Sequence, residues 1–507
     1  MMTFVGLLVG VLCSIIFFVL FKFFHKFWWV PTRIKYAMSS QGIRGPPYRF
    51  IYGNVKEISD MINKSTNSPM DISHYIFPRI QPHIHSWLHI YGKNILYWQG
   101  PQAELVVTEP ELLKKIMSVR EISMGRPDGG PILNKLIGDG LLLSHGNKWV
   151  KQRKVATQAF NGERLKNMVP AMVESAKTML QRWKDVGAKE MEVCEEFRML
   201  ASEVIARTAF GSNYEDGKQV FQKLKALRLL VSKISYKVRL AGFGRIFKDK
   251  EDVEAEKLQA DIRYLIMQMI RNRETTIFLG DETDYLGSLL KAQHDNDDSY
   301  KLSIQDIIDD CKSFYAAGHG TTFPLLSWVT LLLAIHTEWQ EKAREEVHEI
   351  FGNQNPSLEG LARLKIMGMI INETLRLYPP GITTNRRVLK QTRVGNLILP
   401  QNINLQILTL ALHLDPEIWG EDAHLFKPER FSGVANVVNN NPGAFLPFGY
   451  GPRMCVGSNF AINEAKITLS MILQRYRFTL SPNYVHEPVQ HVTLVPKSGV
   501  QIMLQDL

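Results

Sequence analysis

The sequence is poor in cysteine. Four occur in 507 residues, Cys13, Cys194, Cys311 and Cys455, and none belongs to a Cys-x-x-Cys pair. That argues against a disulfide-stapled secreted scaffold and fits a reducing compartment, where an isolated cysteine is ordinarily a small buried hydrophobe. Basic runs interleaved with aromatics are missing too. The formal charge of +10 therefore points to an anionic membrane surface or an acidic protein partner ahead of nucleic acid. There is no internal repeat, and no Gly-x-Ser-x-Gly or caspase-type signature for acyl transfer.

Charge is absent altogether from the eighteen residues Phe4 to Phe21, a run just long enough to cross a bilayer as a helix. Lys22, His25, Lys26, Arg33 and Lys35 follow it, which places the rest of the chain on the cytosolic side, with Phe27, Trp28 and Trp29 at the interface. A cleaved signal peptide would need a basic n-region and a small-residue cleavage site, and both are missing. Residues 1–25 are expected to be a membrane anchor, 26–45 a linker and proline-rich hinge, and 46–507 one folded body.

With 45% hydrophobic and 22% charged residues, that body can bury a large core. Its pattern is mainly helical: 163–186, 251–273, 304–351 and 459–476 read as helices. Short β-rich pieces occur at 94–100, 103–109, 392–400 and 499–505, and 294–300 and 437–445 read as loops.

Chemistry concentrates at "FLPFGYGPRMCVGSNF", residues 445–460. A lone cysteine sits in a Gly/Pro-rich loop directly before an amphipathic helix. Gly449, Gly451 and Gly457 permit tight turns and close approach. Amides at the turn, the helix N-terminus and Arg453 would favour a thiolate at Cys455, a ligand suited to a soft metal or haem iron. Zinc would need more ligands than this single cysteine.

Phe448, Gly451, Arg453, Cys455 and Gly457 reproduce Phe-x-x-Gly-x-Arg-x-Cys-x-Gly, and this loop closely resembles the haem-binding loop of cytochrome P450 enzymes. Further residues match that family in order and rough spacing. Glu373 and Arg376 in "NETLRLYPP", with Arg430 in "KPERF", correspond to a buried structural charge triad. Trp149 and Arg153 in "KWVKQRK", and Arg387 in "TTNRRVL", resemble contacts to the haem propionates. The resemblance covers essentially the whole chain. The anchor, the "GPPYRF" hinge and the ending "LQRYRFTLSP" look most like plant microsomal, non-A-type enzymes of the clan with brassinosteroid- and gibberellin-modifying members.

The resemblance implies a mainly α fold with small β-sheets behind one N-terminal transmembrane helix, in the endoplasmic reticulum membrane with the catalytic domain cytosolic. It implies haem b held by Cys455, electrons from NADPH–cytochrome P450 reductase, cytochrome b5 as a further candidate donor, and insertion of one oxygen atom from O2 into a small lipophilic substrate. Lys148, Lys151 and Lys154 would lie near the cysteine side of the haem, either steering an acidic reductase face or forming a merely solvated basic turn. Substrate contacts are expected from 125–143, Ala316, 381–384 and 492–494.

One motif departs from the family pattern. "AGHGTT" supplies Thr321 as the expected proton-relay alcohol, but the preceding acid is replaced by Gly320. Pro324, which has no amide hydrogen, should leave the Gly320 carbonyl without its helical donor and open the helix there. A water held by this carbonyl, Thr321 and His319 is expected to take the acid's place; a poorly coupled enzyme is the alternative. His319 is not expected to ligate iron, since a neighbouring helix position points away from the pocket. A reductase-independent isomerase or dehydratase is a second alternative. The intact cysteine loop and Thr321 count against it.

Overall fold

The computed structural model describes residues 2–120, 123–127, 129–187, 189–211, 214–235, 249–277, 284–294, 301–433 and 441–507. The uncharged run lies in the helix Met2–Phe24, whose apolar side chains from Phe4 onward are exposed on every side. At 23 residues it is about 35 Å long, enough to cross the hydrocarbon core of a bilayer.

The expected linker after residue 25 is helical instead. A π-helical turn at His25–Trp29 leads directly into the helix Val30–Ser39. The wide turn ends two residues before Pro31, which cannot donate to the carbonyl of Phe27. That carbonyl accepts from the Tyr48 hydroxyl at 2.7 Å, so the proline-rich hinge is tied back onto the helix leaving the membrane segment.

The body is organised around the helix Ile304–Ile335, which is buried along most of its 32 residues. Ser303 and Asp306 close a capping box at its start, and Lys148 adds an ion pair to Asp306 at 2.8 Å. Small residues admit its neighbours: a Cβ on Gly318 would lie 2.7 Å from Ile205 Cδ1 on the helix Val193–Phe210. Aromatic pairs fix the two ends. Tyr315 stacks on Phe210 at 4.0 Å between centroids, and Trp328 stacks on Tyr378 at 4.3 Å. The span expected as a helix over 304–351 turns at His336 and continues as Thr337–Phe351.

A five-stranded sheet lies beside this core, in the order Asn94–Gln99, Gln102–Val107, Asn404–Leu408, Thr383–Val388, Met124–Gly125. Only its second pairing is parallel. Gln501–Asp506 pairs with both Glu190–Glu192 and Tyr476–Leu480, and Thr392–Val394 pairs with Leu397–Leu399. A last hairpin, Pro488–His491 with Thr493–Pro496, reverses at Val492, whose φ of 69° is rare for a β-branched residue. Of the expected loops, residues 295–300 and 437–440 lie outside the described residues, and 441–445 is irregular.

The loop after residue 137 is pinned to the central helix by Asp310, whose Oδ1 accepts from the Leu141 amide at 2.6 Å. Burial pushes the Asp310 carboxyl up to about 8 against the pull of that amide. Between an unfolded value of about 4 and this value, the folded state keeps a proton that the unfolded chain has released, so stability falls as pH rises through the window. Asp310→Asn retains the acceptor and removes the titration. Its Tm is expected to fall less than that of the native chain from about pH 5 to about pH 8; parallel declines would contradict the assignment.

Candidate functional site

A cavity of about 360 Å3 opens between the central helix and the cysteine loop. Cys455, Phe448 and Gly457 line one side, and Ala317 and Thr321 the other. Trp149 and Arg153 reach it from the helix Gly146–Ala159, where an i, i+4 spacing puts both on one face. Arg153 donates to the Met454 carbonyl at 2.6 Å. Arg453 donates to the Ser144 carbonyl at 2.6 Å, with its guanidinium 4.6 Å from the centre of the Trp149 ring.

Arg386 lines the cavity, whereas the expected Arg387 is not among the lining residues. Successive residues of a strand face opposite ways. Arg387 pairs in register with Asn404, which pairs with Glu104 in the next strand; burial pushes the Glu104 carboxyl up to about 7, opposed by hydrogen bonds from Asn404 and Gln406 and by the charge of Arg387. The doublet "RR" leaves this choice open until strand register is known. Arg126 also lines the cavity, and only its place within the expected 125–143 contact region hinted at it. The other expected contact regions do meet the cavity, through Leu141, Ala316, Gly381, Thr384, Val492 and Thr493.

The cysteine loop is shaped by backbone. The Cys455 amide donates to the Phe448 carbonyl at 2.9 Å. Gly449 and Gly451 have φ of 75° and 73°, and a Cβ on Gly451 would lie 2.4 Å from the Met117 carbonyl oxygen. Gly457 differs. Its φ is −94°, and a Cβ there would meet no protein atom within 4 Å, although the residue lines the cavity. Its glycine keeps the floor beside Cys455 flat, which suits a planar macrocycle.

Cys455 is enclosed by protein except toward the cavity, and burial raises its thiol pKa; the Gly457 amide and Arg153 oppose the rise without overcoming it. Of the influences expected to favour a thiolate, the Gly457 amide and the Arg153 charge act in that direction and burial acts against it. Coordination to a metal drives the proton off. Cys455, the flat glycine floor and the arginines at the rim fit a haem with two carboxylates.

On the opposite wall the helix is not interrupted at Pro324. One carbonyl is released and then recaptured. Gly320 O accepts from Arg228 Nη2 at 3.1 Å and from Thr493 Oγ1 at 3.1 Å, so the acceptor expected to hold a water already has two protein donors. Thr321 Oγ1 donates to the Ala317 carbonyl at 2.9 Å, which leaves its oxygen lone pairs available to the cavity. His319 packs against Phe221, ring centroids 5.4 Å apart, and its pKa is lowered to about 3 by burial and then by Arg228 and Arg198. It is neutral at ordinary pH.

Lys148 is held by Asp139 at 2.9 Å as well as by Asp306, so of the three lysines expected to steer a partner, the exposed Lys154 is the most accessible.

The charge cluster behind the site is buried. Arg376 and Glu373 are fully inaccessible and form two hydrogen bonds, each of 2.7 Å. Arg376 also donates to the carbonyls of His413 at 2.8 Å and Ala423 at 2.6 Å, and Arg430 Nε lies 3.6 Å from Glu373. Sequence reasoning missed Asp422, which binds Arg430 and Lys427. Removing one member of such a set strands a buried charge. Arg376→Met is expected to destabilise the fold by about 3–5 kcal/mol, read as loss of soluble, haem-loaded protein; a native-like Tm would contradict this.

The cytochrome P450 family model matches residues 76–504. The chain is 50% identical over 507 residues to cytochrome P450 CYP749A22 of Panax ginseng, covering 99% of this chain and 97% of that one. It is 38% identical over 510 residues to cytochrome P450 734A1 of Arabidopsis thaliana, covering 98% and 96%. It is 37% identical over 500 residues to echinocystic acid 23-monooxygenase of Saponaria officinalis, covering 94% of each. The chain therefore belongs to the cytochrome P450 family, a family of haem-dependent enzymes.

Proposed function

We propose that this cytochrome P450 monooxygenase hydroxylates a lipophilic terpenoid, with Cys455 as the axial iron ligand and electrons from NADPH–cytochrome P450 reductase. Cytochrome b5 is a second candidate donor. The observation that carries the reading is the cavity itself, which has a cysteine on one wall and a hydroxyl-bearing helix on the other. Relatives named for echinocystic acid oxidation and for secologanin synthesis support the substrate class. Residues 46–507 would form the catalytic body, held at the cytosolic face of the endoplasmic reticulum by the exposed apolar helix at the N-terminus.

When bound, haem iron supplies the activation of O2 and the transfer of one oxygen atom. The chain's own residues hold and surround it. Arg153 and Arg453, with Arg126 and Arg386, would neutralise its carboxylates, and Trp149 would donate its indole N–H to one of them; Arg387, the sequence-based candidate, is not among the cavity-lining residues. Phe448 and the glycine loop shield the sulfur from water. Thr321 would hold a cavity water through its free lone pairs while its own hydroxyl proton stays directed at the Ala317 carbonyl. Gly320 contributes no acid, and no carboxylate lines the cavity among the described residues, so protons must travel through hydroxyls and water.

Gly320 is also the one observation that favours a second reading, a poorly coupled haem protein. Co-expression with a plant reductase, feeding of a terpenoid panel and mass spectrometry separate the two. An NADPH-dependent oxygenated product from the native chain is expected, with Thr321→Ala lowering product per NADPH consumed by on the order of 10²-fold. Product formed only by Gly320→Glu, with both proteins haem-loaded, would establish the second reading. Product without NADPH would favour an isomerase or dehydratase.

A further inference from the structure

Five arginines line the cavity and, among the described residues, no aspartate or glutamate does. Four of them, Arg126, Arg153, Arg386 and Arg453, come from the cysteine side and the sheet, where two haem carboxylates would sit. Arg228 does not belong to that group. It comes from the helix Tyr214–Ser235 and reaches the central-helix wall, where its Nε donates to the His491 carbonyl at 3.0 Å and its Nη2 donates to Gly320 O and to Thr493 Oγ1.

All three of those partners are neutral. Among the described residues, the charge that acts most on it is another cation, Arg198. Arg198 shares the ring of Phe323, at 4.5 Å against 5.7 Å for Arg228, and Glu195 is committed to Arg198 and Lys225. Burial, then Arg198, lowers the Arg228 pKa to about 10, so it remains a cation near neutrality. Its Nη1 has no hydrogen-bond partner among the described residues.

A mostly desolvated guanidinium without a counter-ion is costly, and it is tolerated where a ligand supplies the charge. The missing acid at residue 320 sharpens the point. A Cβ on Gly320 would lie 3.5 Å from Arg228 Nη1 and 3.6 Å from Nη2, so an acidic side chain there would reach and neutralise the guanidinium. Glycine keeps it available. Arg228 is held still by its three neutral acceptors, and its remaining Nη1 keeps two N–H donors for a charge-assisted bond to one carboxylate oxygen.

We propose that Arg228 is the specificity residue of this enzyme and that its substrate is a lipophilic carboxylic acid, whose carboxylate binds Arg228 while the carbon skeleton fills the apolar cavity toward Ala317. This rests on the monooxygenase reading for the fate of the substrate but not for its binding.

The test is optical. The haem-loaded native chain in microsomes is titrated with palmitic acid, abietic acid and echinocystic acid, each against its methyl ester, and the low- to high-spin shift of the Soret band is followed without NADPH. At least one acid is expected to bind about 10- to 100-fold more tightly than its ester, the ratio due to one charge-assisted pair. Arg228→Gln should abolish that ratio and Arg228→Lys should keep part of it. Gly320→Glu should abolish it from the opposite side of the contact. Each variant is checked for haem loading by its reduced carbon monoxide spectrum. Equal binding of acid and ester by the native chain, no shift with any acid, or a ratio untouched by Arg228→Gln would overturn the proposal. Acids that bind through Arg228 yet give no product with NADPH and reductase would leave it standing and count against the monooxygenase reading alone.

Discussion

The structure depends on keeping one long helix dry. Ile304–Ile335 is packed by helices, sheet edge and hairpin, and burial makes an unpartnered backbone carbonyl on it costly. Where sequence removes a bond, tertiary structure must replace it. Pro324 removes one, and Arg228 and Thr493 supply two. The same physics recurs at the membrane end, where Pro31 releases the Phe27 carbonyl and Tyr48 captures it. In both places a proline in a helix becomes an attachment point for a distant segment: the hairpin turn at Val492 in one case, the proline-rich hinge in the other.

This constraint also arranges the site. Capture of the Gly320 carbonyl draws Arg228 and the Val492 hairpin onto the cavity wall, so the roof is polar at one spot and apolar elsewhere. The opposite wall is set by backbone conformation: two glycines at positive φ turn the chain so that Cys455 faces inward. Behind both walls, the Glu373–Arg376 pair binds three backbone carbonyls and the chain before Arg430, locking the segment 413–430 against the helix Lys365–Leu377. Electrostatics here serves shape as much as charge.

Much of this was legible in the chain. Cys455, its glycines, Trp149 with Arg153, and the Glu373–Arg376 pair lie within single loops or helices, where local spacing fixes which residues share a face. The apolar N-terminal helix was equally plain, because an uncharged run has few other uses. What failed were readings that required knowing which side of an element faces what. The spacing "NRRV" offers two adjacent arginines, and only the fold shows that Arg386 lines the cavity while Arg387 is not among the lining residues. The lysines of "KWVKQRK" read alike, yet Lys148 is consumed by Asp139 and Asp306.

The sequence by itself determined the family, the cysteine loop, the uncharged N-terminal helix and the glycine at the central-helix acid position, because each is a property of adjacent residues. Only the tertiary structure decided what replaces that acid's neighbourhood. A free carbonyl open to water and a carbonyl held by Arg228 are identical as sequence. They differ because residues 228, 320 and 493 meet only in the fold, where burial forbids an unsatisfied acceptor and draws in the nearest donors.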